Sequence, residues 1–159
     1  MGVSASTPGN MVLDAGVLAV GGTVIGATRG GATFNPNPTW RDPAIDNQPN
    51  PAAGTKRVIS YAPTLTVVGL EFTDDLLDAA IVGGAATPTE HVVALSDYQT
   101  VTYTAVKGDG SSVTITLTRA ICTNPAVAFA NEDEGTVSME FTGHYELSSR
   151  TPPFTIVVA

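Results

Sequence analysis

The stretch V-S-M-E-F-T-G-H-Y-E-L-S, residues 137–148, decides the fold of this chain. Every odd position, from Val137 to Leu147, is apolar or glycine, and every even position is polar. A period of two predicts a β-strand with one buried and one wet face. Twelve residues at about 3.3 Å each would span about 40 Å, whereas a usual strand has about five or six residues. Such a strand indicates a sheet with long strands, either in a barrel or in a sheet that extends into neighbouring subunits.

Composition and charge indicate one β-rich domain with an acidic surface. The 159 residues are 43 % hydrophobic and only 14 % charged, and threonine, valine, alanine and glycine are abundant. This length suits a single domain over residues 1–159, with a flexible N-terminal arm at 1–10 and a C-terminal arm at 150–159. The net charge is −8, and residues 61–100 carry six acids and no base. A surface this acidic repels nucleic-acid phosphates.

Further segments extend the β pattern. Residues 98–120 predict a hairpin in which apolar residues alternate with threonines, including Thr114 and Thr116, around the turn K-G-D-G-S-S at 107–112. Residues 55–72 are also β-like, and the shift of their period near Val67 predicts a bulge there. The pair Gly21 and Gly22 predicts a tight turn or bulge. G-A-T-R-G-G-A-T-F, residues 26–34, matches neither phosphate-binding glycine motif and predicts a glycine turn between two strands.

One short α-helix is expected at about residues 74–82. Thr73 is the expected N-cap, and Asp74 and Asp75 favour the first turn because acids there oppose the helix dipole. Four apolar residues have helical spacing, and two glycines end the element. These residues are Leu76, Leu77, Ala80 and Ile81, followed by Gly83 and Gly84.

A long proline-rich loop is predicted between early strands, at residues 35–54. Its five prolines cannot supply the backbone donors of a central strand, so only a short edge segment is expected, around residues 40–45. Trp40 and Arg41 lie in this loop. Both residue types are enriched in interface cores, and the sequence leaves open whether they contact another molecule or the sheet of their own subunit.

The residues predict no enzyme, no metal site and no cofactor. Cys122 lacks a nucleophile motif and is expected to be a semi-buried thiol at a strand end. His91 and His144 have no second ligand at metal spacing, the first in a loop and the second on the polar strand face. Glu140 and Glu146 would lie about 20 Å apart on one strand, too far for a glycosidase pair. The longest apolar run, residues 17–27, is too short for a membrane span.

The ordered motifs resemble those of phage major tail tube proteins. The likeness starts with L-A-V-G-G-T-V-I-G-A-T-R-G-G-A-T-F-N-P (18–36) and T-W-R-D (39–42). It continues with T-L-T-V-V-G-L-E-F-T-D-D-L-L (64–77), which is similar to the family's strand leading into its helix. V-S-M-E-F-T-G-H-Y-E (137–146) is similar to the family's late strand. The likeness covers nearly the whole chain in the right order.

This resemblance implies an antiparallel β-sandwich or barrel-like subunit with one flanking helix. Six copies would form a ring, and stacked rings would form the hollow tail tube that conducts the genome. It implies a virion location after assembly in the host cytoplasm. The expected partners are tape measure, tail terminator and baseplate proteins, with DNA passing through unbound and no membrane involved.

The resemblance also implies that the proline-rich loop and the terminal arms contact the next ring. The candidates for ring stacking or subunit interfaces are Trp40, Arg41, Asp42, Asp46, Arg57 and Phe154. The lumen-facing candidates are Glu140, Glu146, Thr114 and Thr116. The sequence leaves open whether the glutamate face or the threonine face lines the lumen.

Two other functions are compatible with the sequence. Another virion component, such as a head decoration or tail terminator protein, can have the same β-rich composition. A ligand-binding β-sandwich, such as a carbohydrate-binding module, would need a planar row of exposed aromatics, whereas the aromatic residues here are scattered.

Overall fold

The computed structural model describes residues 16–25, 28–43, 53–70, 73–82, 84, 90–129 and 135–159. Within these ranges the chain is mainly β, with one α-helix and one short 3-10 helix (Leu95–Asp97), which confirms the predicted fold class. Helix α1 (Asp74–Ala80) follows the sixth strand. The strands are β1 (Val17–Val20), β2 (Thr23–Val24), β3 (Thr28–Asn35), β4 (Pro38–Arg41), β5 (Arg57–Tyr61), β6 (Thr64–Gly69), β7 (Gln99–Val106), β8 (Ser112–Cys122), β9 (Ala126–Ala128), β10 (Thr136–Gly143) and β11 (Phe154–Val158).

Nine strands form one antiparallel sheet, and β4 and β5 form a separate two-stranded ribbon. The main path across the sheet is β2-β1-β7-β8-β10-β6-β3. Strand β11 pairs with the first half of β8, whereas β10 pairs with the end of β8. Strand β9 pairs with the start of β10. Because β8 and β10 pair over only three residues, β8 also pairs with β11 and β10 also pairs with β9.

The core lies on one side of this sheet. Leu18, Leu65, Leu117 and Phe141 come from four different strands and are at most 1 % exposed. The Tyr103 hydroxyl on β7 accepts a hydrogen bond at 2.7 Å from the backbone N–H of Gly16, which directly precedes the neighbouring strand β1. An ideal Cβ on Gly31 of β3 would lie 3.7 Å from the same hydroxyl oxygen. Strands β3 and β7, distant in the sheet order, therefore approach each other, and the sheet curls around its core.

Helix α1 begins where the sequence predicts and ends at Ala80, two residues before the predicted end. The Thr73 hydroxyl accepts a hydrogen bond from the Leu76 N–H at 3.2 Å, which confirms the N-cap. Leu76 and Ala80 are buried and pack in the core. Ile81 is included in the predicted helix because of its helical spacing. Its backbone is extended (φ −114°, ψ 114°), so it lies beyond the helix end.

Strand β10 confirms the alternation but not the length of the opening stretch. Val137, Met139 and Phe141 are buried, as predicted, yet the strand ends at Gly143 rather than at residue 148. Its neighbour β6 begins only at Thr64, so the ladder has no partner on that side beyond this point. On the other side the His144 N–H still donates to the Arg119 carbonyl of β8 at 2.7 Å. Residues 145–148 then leave the sheet, and Leu147 is 98 % exposed. The alternation of apolar and polar residues thus continues to residue 148, although the pairing with β6 ends earlier.

The sequence predicts a bulge near Val67 and a glycine turn within residues 26–34, and both predictions are wrong. Residues 55–72 contain two strands, because β5 and β6 are separated by Ala62 and Pro63. Strand β6 is regular, and the bulge lies opposite Val67 in β3, between Arg29 and Ala32. Residues 26–34 therefore contain a bulged strand rather than a turn between strands. Gly31 adopts φ +74°, a conformation that is easy for glycine, and so accommodates the bulge.

The turns at the two hairpins agree with the sequence. Gly21 and Gly22 have φ of +60° and +85° and connect β1 to β2, as a tight turn requires. Strands β7 and β8 form the predicted hairpin around residues 107–111. The ladder of this hairpin shifts between Gln99 and Val101, so a bulge in β8 keeps its buried residues on the core side.

Strands also occur in three segments outside the main predicted strands. A short edge segment is expected in the proline-rich loop, a loop is expected after Cys122, and the alternating apolar residues at 154, 156 and 158 predict a last short strand or a docking arm. The edge segment expected at 40–45 is β4, which begins at Pro38 and ends at Arg41, while residues 44–45 lie outside the described ranges. The acidic loop after Cys122 includes β9. The C-terminal arm contains β11, paired along its length with β8. The predicted N-terminal arm at 1–10 lies outside the described residues. No helix in the described ranges is long and apolar enough to cross a membrane.

Candidate functional site

The side of the sheet that faces away from the core carries rows of threonine. In an antiparallel ladder, directly opposite residues point to the same side. Thr102, Thr116 and Thr155 are directly opposite one another on β7, β8 and β11. The neighbouring row contains Thr104 and Thr114, whose hydroxyl oxygens are 3.5 Å apart. Five threonines of three strands therefore form one patch.

A second group of rows lies on β10, β6 and β3. Glu140 is opposite Thr66, which is opposite Thr33, and Thr142 is opposite Thr64. These side chains alternate with the buried residues of the same strands, so they also face away from the core. We call the two groups together the threonine face; its members are Thr33, Thr64, Thr66, Thr102, Thr104, Thr114, Thr116, Thr142 and Thr155, with Glu140.

The two groups belong to one continuous surface because β8 pairs with β10. Ile121 lies opposite Thr142, and Cys122 lies opposite Phe141 on the core side. The bulge in β8 preserves this sidedness, since Leu117, Ala120 and Cys122 are all buried. The threonines of the hairpin and Glu140 are therefore not on two separate faces. Thr114, Thr116 and Glu140 share one side of one sheet.

Threonine suits such a surface for two reasons. Its β-branched side chain packs well on a pleated sheet, and its hydroxyl remains compatible with water. Opposite pairs of threonines carry no charge, so they avoid the repulsion of like charges across the ladder. Among the described side chains of these rows, Glu140 is the charged one. None of the ion pairs of the described residues involves it.

Glu146 is separated from this surface. It lies three residues beyond the end of β10, and its Oε1 accepts a hydrogen bond from Arg119 Nε at 3.1 Å. Arg119 sits near the bulge of β8, so this ion pair holds the departing chain against that strand. The prediction that Glu140 and Glu146 share a strand face is wrong, because the strand ends between them.

The ribbon of β4 and β5 carries three of the six predicted interface residues, Trp40, Arg41 and Arg57, and Asp42 directly follows β4. Trp40 is 53 % exposed, and Lys56 Nζ lies 5.3 Å from the centroid of its ring. The same ammonium lies 4.0 Å from an Asp42 carboxylate oxygen. Trp40 thus contacts its own ribbon on one side and leaves about half of its surface open.

Two arginines of this ribbon lie directly opposite each other, Arg41 on β4 and Arg57 on β5. They line a cavity of about 400 Å³ together with Pro43, Gly54 and Thr55. Like charges opposite each other in a ladder are unfavourable, so an anionic group from outside would stabilise the pair. Asp46, another predicted interface residue, lies outside the described residues.

Phe154, the last predicted interface residue, packs within its own subunit. Its ring centroid lies 5.3 Å from that of Phe34 and 5.2 Å from that of Tyr61. The ring is partly buried against the core. The alternation of apolar residues at 154, 156 and 158 was the available sign that this segment is a strand.

The titratable groups are dispersed. Cys122 is the last residue of β8, which confirms the expected strand end, and it is 5 % exposed, so the thiol is buried rather than semi-buried. Burial raises the pKa of this thiol above its ordinary value and so disfavours the nucleophilic thiolate. No cluster of three potential metal ligands occurs in the described part of the chain.

The two histidines lie in different surroundings. His91 Nε2 is 3.5 Å from an Asp97 carboxylate oxygen. His144 follows the end of β10 rather than lying on the strand, and its ring meets that of Tyr98 edge-on at 5.2 Å. Its buried Nε2 has no hydrogen-bond partner among the described residues. The sequence offered no sign of this burial, because His144 occupies a polar position of the alternating pattern.

No protein-family model matches this chain, and no curated protein is detectably similar to it in sequence.

Proposed function

We propose that this chain is the structural subunit of a phage tail tube. Six copies form a ring, and rings stack into a hollow tube through which the genome passes. The observation that carries this proposal is the threonine face, which crosses β11, β8 and β7 on one side and β10, β6 and β3 on the other. This surface serves as the wall of the tube's lumen.

The chemistry of the threonine face supports a conducting role. DNA binds proteins chiefly through basic side chains that neutralise its phosphates. The rows of this surface present mainly hydroxyls and Glu140, together with the half-exposed Val157 opposite Thr114 and Val17 opposite Thr104. The whole chain has a net charge of −8. Such a wall stays hydrated and repels phosphates, so DNA slides past it without being retained.

The ribbon of β4 and β5 supports a role in contacts between rings. Trp40 is exposed, and Arg41 and Arg57 lie together beside a cavity. Tryptophan and arginine are the residue types most enriched among interface hot spots. In the proposed tube the ribbon contacts an acidic surface of the next ring. Tape measure, tail terminator and baseplate proteins are its proposed partners in the virion tail.

Negative-stain electron microscopy of the purified full-length chain tests the proposal. We expect rings with a central hole, and stacked tubes at higher protein concentration. A stable monomer that forms no tube at high concentration, even with its tail partners present, would contradict the proposed function. A capsid-decoration role would instead give binding to empty capsids without tubes.

A matched pair of variants separates ring formation from stacking. Trp40→Ser removes the exposed indole of β4, and Ile59→Ser removes an apolar side chain that is similarly exposed (59 %) on β5 of the same ribbon. We expect Trp40→Ser to shorten tubes to single rings, while Ile59→Ser leaves tubes intact. Equal tube lengths for both variants would remove Trp40 from the stacking contact.

A further inference from the structure

We propose that the outer edge of strand β11 binds the outer edge of strand β3 of a second copy of this chain. The added strand would extend the sheet from one subunit into the next. The step from such pairing to a closed ring rests on the proposed function above.

The direction of the backbone groups in β11 follows from its ladder with β8. The Ala159 N–H donates to the Ser112 carbonyl at 2.9 Å, and the Thr118 N–H donates to the Pro153 carbonyl at 3.0 Å. In an antiparallel pair, hydrogen-bonded residues alternate with residues whose N–H and C=O groups point away from the partner. By this alternation, Ile156 and Val158 direct their N–H and C=O groups to the outer edge.

Residues 155–158 of this outer edge carry none of the charges, prolines or bulges that usually protect a strand edge. Natural proteins block edges with charges, prolines, bulges or short strands. Strand β11 contains no charged residue and no proline, and its register with β8 is regular over all five residues. The ribbon reaches β11 at Phe154 through the Tyr61 ring, while residues 155–158 are exposed.

Apolar side chains accompany the open edge. Ile156 lies opposite Ile115, and Val158 lies opposite Val113, on the side of the sheet that elsewhere forms the core. They are nevertheless 51 % and 64 % exposed. The core side of the sheet is thus left partly uncovered where β11 ends it, and a strand from another subunit would continue this side.

The strand best suited to pair there is β3 of another copy. Among the described strands at the margins of the sheet, β2 has two residues and β9 has three, whereas β3 has eight. Residues 32–35 of β3 follow its bulge, are uncharged, and pair with β6 on one side. Both margins carry the threonine face, through Thr155 on β11 and Thr33 on β3. Joining them makes that face continuous between subunits.

The symmetry of the contact favours β3 over a second β11. Pairing of β11 with β11 would be two-fold symmetric, would end at two copies and would leave the β3 edges open. Pairing of β11 with β3 is head-to-tail, so each copy uses one edge and offers the other. Such a contact can close into a ring.

Proline substitution at position 156 of the full-length chain tests the role of the edge. Ile156→Pro removes an N–H that points outward and leaves the ladder to β8 intact, and proline is tolerated on edge strands in this orientation. The control Ile156→Ala shortens the same side chain but keeps the N–H. Val158→Pro is a second variant of the outward edge, close to the end of the strand, where an effect on folding is smallest.

Sedimentation velocity across a concentration series is the measurement, with circular dichroism to establish folding. We expect folded Ile156→Pro and Val158→Pro to associate at least about tenfold more weakly than the wild type, and Ile156→Ala to associate more strongly than either. Folded proline variants that associate as the wild type does would overturn the proposal, as would a wild type that is monomeric at every concentration.

A mixing experiment identifies the partner strand. Affinity-tagged Ile156→Pro still carries an intact β3 edge, so untagged wild type should bind it through the wild-type β11 and be recovered with the tag. If β11 paired with β11, the tagged variant would be excluded while the wild type associated with itself. That result would overturn the assignment to β3.

These experiments also distinguish a failure of the β11–β3 pairing from a failure of the proposed tail tube function. Wild-type oligomers that depend on the β11 edge but never form a tube would support the pairing and contradict the proposed function. Tubes that form equally well from Ile156→Pro would support the proposed function and overturn the pairing.

Discussion

The rings of Phe34 on β3 and Phe154 on β11 lie 5.3 Å apart and are inclined by 56° to each other. Tyr61 of β5 meets Phe154 edge-on at 5.2 Å. Such arrangements are favourable for aromatic pairs. They join the C-terminal strand to the first part of the chain and to the ribbon, so the end of this chain is an integral part of the subunit.

The first prediction concerns this aromatic cluster. Phe154→Ala removes a partly buried ring and leaves Phe34 and Tyr61 without their common neighbour, so we expect a loss of about 2 kcal/mol in the free energy of unfolding. Ile156→Ala, on the same strand but half exposed, should cost about 1 kcal/mol or less. Urea unfolding followed by circular dichroism measures both. Equal losses would mean that the cluster does not anchor β11.

The second prediction concerns the buried side of β10. Phe141 is 1 % exposed, and Phe141→Asp would place an unpaired carboxylate among apolar side chains, at a cost of several kcal/mol. We expect this variant to be insoluble or unfolded by circular dichroism. Glu140→Gln, one residue earlier on the opposite side of the strand, should fold normally. A folded Phe141→Asp protein would contradict the assigned core.

The third prediction concerns the Cys122 thiol. Because burial raises its pKa above the ordinary value of 9.0, the unfolded chain loses this proton at a lower pH than the folded chain does. Above about pH 9 the folded state binds more protons, and stability should fall as the pH rises. Cys122→Ala should reduce this part of the slope of stability against pH. An identical slope in both proteins would show that the thiol ionises equally in the two states.

Alkylation by iodoacetamide at pH 8 checks the same thiol independently. The folded protein should react much more slowly than the protein in denaturant, because the thiolate is the reactive form and the folded thiol is both buried and protonated. Rapid modification under native conditions would contradict its burial.

The fourth prediction concerns charge on the threonine face. Glu140→Lys places a base in the proposed lumen wall, so assembled tubes should retain double-stranded DNA in a manner that weakens as salt increases. Glu146→Lys makes the same change in charge beyond the end of β10 and should not add retention. Filter binding of assembled tubes measures the difference. Equal retention by both variants would remove Glu140 from the lumen wall.

Local features of the fold could be predicted because their causes are local. The alternation in 137–141, the hairpin around 107–111, the Gly21-Gly22 turn and the Thr73 cap each depend on a few neighbouring residues, and all four are present. The helix end and the strand ends were less accurate. They depend on where partner strands stop, as β10 shows at Gly143.

The sequence by itself determined that this chain is a β protein with one short helix, and it determined which residues of β7, β8 and β10 face the core. Periodicity specifies sidedness, since a shift by one residue would expose every apolar side chain. The tertiary structure alone decided which strands are neighbours. Pairing across the sheet placed Glu140 and Thr116 on one continuous surface, removed Glu146 from it, and left the edge of β11 open. These relationships arise from contacts between residues far apart in the chain, which no local pattern encodes.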